Sequence, residues 1–295
     1  MRKPLLSVCL ITYNHEQFIR QAIEGVLMQK VDFDWELIIA EDCSTDSTRA
    51  IILEYKEKYP DFVKLILQEK NVGAAKNWLD LMAVPRSKYV AYFEGDDYWT
   101  DPLKLQKQVD FLEANPEYVM CTHTAEEKNE ITNSSIIFPN IKDDTAKYIE
   151  DYIINNLTAT CSLMFKAEYL EPIPKWFNEI LFGDLALMLL IFYRSNKKMM
   201  ILKDCMGVYR VNSGSVHGSF KNNKASLIKA YKMHLDFINT IDRELFLKKN
   251  FKQSVIKKKI NTHSILANLY KKTNIVNYCK HLLKKHLLIR FARVV

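Results

Sequence analysis

The first hundred residues alternate between two hydrophobic periodicities, and this alternation limits the fold more than any other feature. LLSVCLITY (5–13) is apolar apart from Ser7, as in a strand buried on both faces. HEQFIRQAIEGVLMQ then places apolar residues at 18, 19, 22, 23, 26 and 27, the spacing of one helix face. WELIIAED reads as a second strand. DSTRAIILEYKEKYP reads as a second helix, with Asp46 or Ser47 as its N-cap and Pro60 just past its end. FVKLILQ, AAKNWLDLMAV and KYVAYF continue as strand, helix and strand. The expected fold class is α/β, a three-layer sandwich around a mainly parallel sheet.

Further along, LKLQKQVDFLEANP reads as a helix capped by Asp101, and EYVMCTHTAEE opens a strand. Residues 125–160 are less regular and read as a flap or acceptor loop. TATCSLMFK reads as a strand, and FGDLALMLLIFYRS as a helix opening at Gly183-Asp184. KMMILKDCMGVYRV reads as strands leading into the loop NSGSVHGS. From about residue 222 the texture turns helical and Lys-rich, with no further Gly or Pro. The expected boundary therefore separates an α/β domain over 1–220 from a basic helical region over 221–295.

Charge divides at the same place. Residues 221–295 carry 18 Lys/Arg against three acids, a net +15, and the first 220 carry 24 against 32, a net −8. A mildly acidic body with a basic tail suggests a tail that meets anions such as phospholipid head groups or nucleic acid. The six cysteines form no C-x-x-C pair, which argues against a zinc ribbon or a disulfide framework and for a reducing, cytoplasmic setting. The longest apolar run, Leu185–Tyr193, has nine residues; a bilayer needs roughly 20.

In open α/β sheets ligands bind at the carboxyl ends of the strands. There the sequence places Thr12-Tyr13-Asn14 after strand one, Glu41-Asp42 after strand two, and Glu94-Gly95-Asp96-Asp97 after strand four. Only seven glycines occur in the chain, and Gly95 and Gly183 each directly precede an aspartate. No G-x-G-x-x-G follows strand one, and no G-x-x-x-x-G-K-[ST], G-x-S-x-G or H-E-x-x-H appears. A carboxylate-held hard cation is the other common way to hold a diphosphate, and Mg²⁺ or Mn²⁺ fits Asp96 and Asp97. The competing reading of that pair is a turn followed by a helix N-terminus, which Asp also suits.

Six segments in order carry a resemblance: LLSVCLITYNHEQFIRQAIEGVLMQ, ELIIAEDCSTDST, NVGAAKNW, YVAYFEGDDYWTDPLKL, GDLALM and YRVNSGSV. Over roughly residues 4–218 the chain resembles an inverting family 2 glycosyltransferase of the GT-A fold, of the bacterial surface-glycan type. The resemblance implies transfer of a sugar from a UDP-sugar to a hydroxyl of a glycan or lipid-linked glycan. It implies Tyr13 stacking on uracil with Thr12 and Asn14 beside it, and Asp42 accepting the uracil N3 proton with Glu41 adjoining. Lys76 would neutralise phosphate charge. Asp96 would lie towards the ribose and metal, and Asp97 on a Mn²⁺ or Mg²⁺ ion. Asp184 would be the catalytic base. Most relatives have Asp where this chain has Glu41 and Glu94. Many have His where it has Asn212, which leaves His217 as the substitute third metal ligand.

Each role has a structural counterpart. Asp184 equally suits the N-cap of LALMLLIF, Tyr13 suits strand-end packing, and Lys76 suits a solvated helix face. In the tail, NIVNYCKHLLKKHLLIRFARVV aligns Val276, Cys279, Leu282, Leu283, Leu287 and Phe291 near one stripe flanked by Lys280, Lys284, Lys285 and Arg290. That stripe fits a helix packed on its own domain or on a second subunit of a homodimer. It equally fits a peripheral helix on anionic lipid at the inner face of the cytoplasmic membrane. Two other functions stay in view: a sugar nucleotidyltransferase, whose Gly-rich opening is absent, and a non-enzymatic membrane or nucleic-acid binder. The acids along the ligand edge argue against nucleic acid.

Overall fold

The computed structural model describes residues 3–179, 183–212, 223–245, 249–271 and 273–292. The apolar runs form β1 (Leu6–Thr12), β2 (Trp35–Glu41), β3 (Val63–Leu67) and β4 (Tyr89–Glu94). The amphipathic segments between them form α1 (Ile19–Leu27), α2 (Thr48–Lys58) and α3 (Ala74–Met82). The strands pair in parallel in the order β3-β2-β1-β4. Burial on both faces explains the unbroken apolar reading of β1, where Leu6, Val8, Cys9 and Leu10 are fully buried. Its one polar residue, Ser7, is buried as well and donates to Glu36 Oε1 at 2.6 Å, so its hydroxyl is satisfied.

Beyond β4 come β5 (Tyr98–Trp99), α4 (Lys104–Ala114), β6 (Tyr118–Asn129), β7 (Ser134–Phe138), β8 (Thr145–Lys147), α5 (Ile149–Ile154), β9 (Met164–Lys166), α6 (Gly183–Ser195) and β10 (Lys198–Val211). The sheet continues from β4 as β9-β6-β10-β5, with β7 on β6 and β8 on β10. The expected α/β sandwich is present. The strands that carry the acidic motifs form its parallel part, and antiparallel additions such as β9 on β4 widen it.

Local details differ from the sequence reading in instructive ways. Of TATCSLMFK only Met164–Lys166 pairs as a strand, while Thr160–Ser162 turns as a 3-10 helix. KMMILKDCMGVYRV is one 14-residue strand. Residues 125–160 contain the β6–β7 hairpin, β8 and α5. The N-cap of α4 is Leu103, with Asp101 in the turn before it: Asp101 Oδ1 accepts the Leu103 N–H at 2.8 Å and its carbonyl accepts the Lys104 N–H.

Between the sheet and α4 the core is aromatic. The Phe93 and Trp99 rings lie 4.6 Å apart, and burial of each contributes about 1.5–3 kcal/mol. Trp99 Nε1 donates to the Cys161 carbonyl at 2.8 Å. Lys104 breaks the apolar pattern. It is fully buried, its Nζ lies 3.8 Å from the centroid of the Trp99 ring, and it has no hydrogen-bond partner among the described residues. Burial lowers its pKa to about 7.

The chain divides into two compact units. The first comprises Met1–Lys147, Leu157–Glu179 and Arg194–Arg210, and the second Tyr148–Asn156, Ile180–Tyr193 and Val211–Val295. In the second unit α7 (Lys224–Glu244), α8 (Lys249–Tyr270) and α9 (Ile275–Ala292) supply most of the helix, and α8 packs on α5, α7 and α9. Asn223 caps α7 by accepting the Ser226 N–H at 2.9 Å. A buried histidine pair joins α8 to α9, with His263 Nδ1 and His281 Nδ1 2.8 Å apart. All six cysteines are free. No helix among the described residues is long and apolar enough to cross a membrane.

Candidate functional site

Strand register brings the motifs of the first unit to one edge. Thr12 lies opposite Glu41, and Ile11 opposite Glu94, so β1, β2 and β4 end at nearly the same level. The ladder runs one residue further. Asp42 N–H donates to the Thr12 carbonyl at 3.1 Å and Gly95 N–H to the Ile11 carbonyl at 2.9 Å. The side chains that follow β1, β2 and β4 therefore emerge together, at the strand ends where open α/β sheets bind ligands.

Gly95 makes this convergence sterically feasible. A Cβ there would meet Thr12 Oγ1 at 2.7 Å, Thr12 Cβ at 2.9 Å and His15 Nδ1 at 3.0 Å. Its value is close approach between β4 and the end of β1, with no left-handed backbone involved.

The loops after β1 and β2 are laced together. Asn14, at φ 53°, accepts the Thr45 N–H at 2.8 Å through Oδ1 and donates its own N–H to Ser44 Oγ at 2.9 Å. His15 N–H donates to Thr48 Oγ1 at 2.8 Å. Glu16 N–H donates to Asp46 Oδ2 at 3.1 Å, and Ser47 N–H donates back to Glu16 Oε2 at 2.9 Å. Asn tolerates the left-handed region, which explains its place at the turn. Cys43, also left-handed at φ 56°, carries a strained backbone immediately after Asp42.

Within this frame the nominated residues take different surroundings. Thr12 is buried, its Oγ1 3.2 Å from His15 Nδ1, and Tyr13 is exposed. Glu41 is fully buried; it accepts the Ser44 N–H at 2.5 Å and pairs with Arg49, bracing the β2 loop. Asp42 is buried, with Oδ1 accepting the Val72 N–H at 2.7 Å and Oδ2 the Gly73 N–H at 2.9 Å. Lys76 is on the surface and pairs with Asp80 one turn along α3. Asp184 sits in the first turn of α6, in the second unit. His217 lies outside the described residues.

Asp96 and Asp97 come together with a third carboxylate. Glu94, Asp96 and Asp97 each offer an oxygen within 4.8 Å of the others. Asp97 is fully buried, and its Oδ1 accepts the Arg210 N–H at 2.8 Å, whereas Oδ2 has no hydrogen-bond partner among the described residues. Burial pushes the Asp97 carboxyl well above the usual carboxylate range, and the charges of Asp96 and Glu94 add to this. A buried carboxylate oxygen without a donor, beside two further carboxylates, is a costly arrangement that a hard cation relieves. The all-oxygen donor set suits Mg²⁺ or Mn²⁺.

The sequence analysis did not place Glu94, Arg210 or His15 among the site residues, although Glu94 stands in the same acidic run. Arg210 donates through Nη1 to the Asp96 carbonyl at 2.5 Å, and the Asp96 charge acts on the His15 imidazole, whose pKa burial lowers. No local pattern could have revealed Arg210, because its partners lie 80 to 189 residues away in the chain.

An uncharacterized protein of Mycobacterium tuberculosis is 37% identical over 163 residues, 55% of this chain and 47% of that protein. The putative teichuronic acid biosynthesis glycosyltransferase TuaG of Bacillus subtilis is 38% identical over 110 residues, 37% of this chain and 42% of that protein. The chain thus spans about half the length of these curated relatives. Among solved structures, the mannosyltransferase PcManGT from Pyrobaculum calidifontis in complex with GDP-Man and Mn²⁺ superposes with TM-score 0.65 at 15% identity, covering 100% of this chain and 83% of that one. S. aureus TarS 1–349 in complex with UDP gives 0.62 at 16% identity, covering 99% and 87%. These likenesses show the shared GT-A fold. Residues 7–170 match the family described as Glycosyl transferase family 2. Since that match spans more than half of the chain, the protein belongs to glycosyltransferase family 2.

Proposed function

We propose that the protein is a metal-dependent, inverting glycosyltransferase that moves a sugar from a UDP-sugar to a hydroxyl of a surface-glycan acceptor. The observation that carries this reading is the unpartnered, fully buried Oδ2 of Asp97 within the Glu94–Asp96–Asp97 cluster. A Mn²⁺ or Mg²⁺ ion held there would neutralise charge on the departing diphosphate.

The chain's own groups would do the rest. Tyr13, exposed after β1, would stack on the base. Asp42, its carboxylate oriented by the Val72 and Gly73 N–H groups, keeps a lone pair on each oxygen for the uracil N3–H. Asp184 would take the proton of the acceptor hydroxyl. The acceptor oxygen would bond to the anomeric carbon as the bond to the diphosphate oxygen breaks, and UDP would leave with the electron pair. Attack opposite the leaving group inverts the anomeric centre. TarS has been solved with UDP-GlcNAc and PcManGT with GDP-Man, so the donor base is a point for direct assay.

The acceptor class follows TuaG, whose name assigns it to teichuronic acid biosynthesis. A lipid-linked acceptor at the inner face of the cytoplasmic membrane fits the exposed stripe of Val276, Leu283 and Leu287 on α9, with Lys280, Lys284 and Arg290 also exposed on that helix. Like charges beside the stripe disfavour pairing of two copies through this face.

The test is release of UDP or GDP from a panel of nucleotide sugars with Mn²⁺. Wild type is expected to release UDP, and Asp97→Asn and Asp184→Asn to lose at least 100-fold in kcat. UDP binding that ignores both chelation and Asp97→Asn would overturn the metal site, and full activity in Asp184→Asn would remove the base assignment.

A further inference from the structure

Arg210 is 5% exposed, yet its guanidinium caps none of the carboxylate oxygens of the cluster beside it in any described hydrogen bond. Its Nη1 donates to the main-chain carbonyl of Asp96 at 2.5 Å, Nη2 to Gln21 Oε1 on α1, and Nε to Glu130 Oε1, in the turn just after β6, at 3.2 Å. Its Cζ lies 4.3 Å from the centroid of the Tyr98 ring and 5.0 Å from that of Phe18. Its main-chain N–H donates to Asp97 Oδ1 at 2.8 Å. One residue therefore grips two successive members of the acidic cluster, one by the peptide and the other by the carboxylate.

We propose that Arg210 is the positioning residue of the cation site: it fixes the Asp96–Asp97 peptide and the Asp97 carboxylate so that Oδ2 of Asp97 stays open to a divalent cation. The proposal rests on the metal reading given above. Each part of Arg210 has a share in it. The N–H on Oδ1 fixes the carboxylate plane and leaves the other oxygen free. The guanidinium charge acts on the Asp97 carboxylate without a hydrogen bond to either of its oxygens. The fork reaches Gln21 on α1, Glu130 in the turn after β6, and the Asp96 peptide. Lysine keeps the charge but is a point donor on a flexible stem, and it cannot hold that geometry.

The experiment measures Mn²⁺ affinity directly, from the electron paramagnetic resonance signal of free Mn²⁺, with and without UDP and well below the unfolding temperature. Arg210→Lys is expected to bind Mn²⁺ at least tenfold more weakly than wild type, although its charge is retained. Gln21→Ala removes one outer partner of the guanidinium without changing any charge, and is expected to weaken binding two- to fivefold. A merely structural role for Arg210 predicts a lower melting temperature with Mn²⁺ affinity unchanged, and that result overturns the proposal. Should Arg210→Lys fail to fold, Gln21→Ala decides: Mn²⁺ affinity equal to wild type overturns it. Wild type that binds no Mn²⁺ in either condition overturns the metal reading and this proposal together, whereas tight wild-type binding matched by both variants overturns this proposal alone.

Discussion

Replacing Lys104 by Met should stabilise the protein, and the gain should depend on pH. The ammonium is fully buried, lacks a described hydrogen-bond partner, and has a pKa lowered from 10.5 to about 7. In the unfolded chain it titrates near 10.4, so at neutral pH the unfolded state binds more protons than the folded one. Stability therefore rises with pH between about 7 and 10, and below 7 the full penalty applies. A shift of this size corresponds to roughly 4 kcal/mol at pH 7. The contact with Trp99, 3.8 Å from Nζ to the ring centroid, favours the charged form and limits the penalty to this size. Met has a similar volume and no charge, so Lys104→Met should gain about 2–4 kcal/mol at pH 7. Urea unfolding followed by circular dichroism, repeated from pH 6 to pH 10, measures this directly. The difference between variant and wild type should be largest at pH 6 to 7 and shrink towards pH 10. A variant less stable than wild type at pH 7, or a difference that does not change with pH, would refute the reasoning.

Two other perturbations test the frame around the site and the helical unit. Gly95→Ala would force a methyl to 2.7 Å from Thr12 Oγ1; it should cost about 1–3 kcal/mol in urea unfolding and weaken donor binding, with part of the loss recovered by adding Thr12→Ala. The His263–His281 pair should make stability fall as pH drops from about 6.5 towards 4. Burial lowers the pKa of both rings, that of His263 to about 4, and Lys232, Lys259, Lys280 and Lys284 add to the effect, so the unfolded chain takes up protons first. His263→Leu combined with His281→Leu should flatten that dependence in urea titrations at pH 6.5, 5.5 and 4.5.

The parallel strands were legible because each is buried on both faces, which writes an unbroken apolar run such as Val8-Cys9-Leu10 into the sequence. The β6–β7 hairpin was not. Ser134, Ser135, Ile136 and Ile137 are all exposed, so no buried face imposes an alternating pattern, and the strand exists through its pairing with residues 125–129. The acidic cluster was legible as far as Asp96 and Asp97, because one short run supplies it. That Glu94 joins them within 4.8 Å depends on how the chain turns at Gly95, and the need for glycine there comes from Thr12, 83 positions earlier. Arg210 was illegible as part of the site for the same reason: its role lies in contacts that only the folded sheet assembles.

The hydrogen bonds that lace residues 14–16 to residues 44–48 also bear on how a donor would be met. Because Asn14, His15 and Glu16 exchange bonds with Ser44, Thr45, Asp46, Ser47 and Thr48, these two loops form one wall that is already ordered before any ligand arrives. Immobilising a free side chain on binding costs about 0.5–1.5 kcal/mol. Here that ordering belongs to folding, so the nucleotide proposed to meet Tyr13 and Asp42 would have little conformational entropy to remove from these two loops.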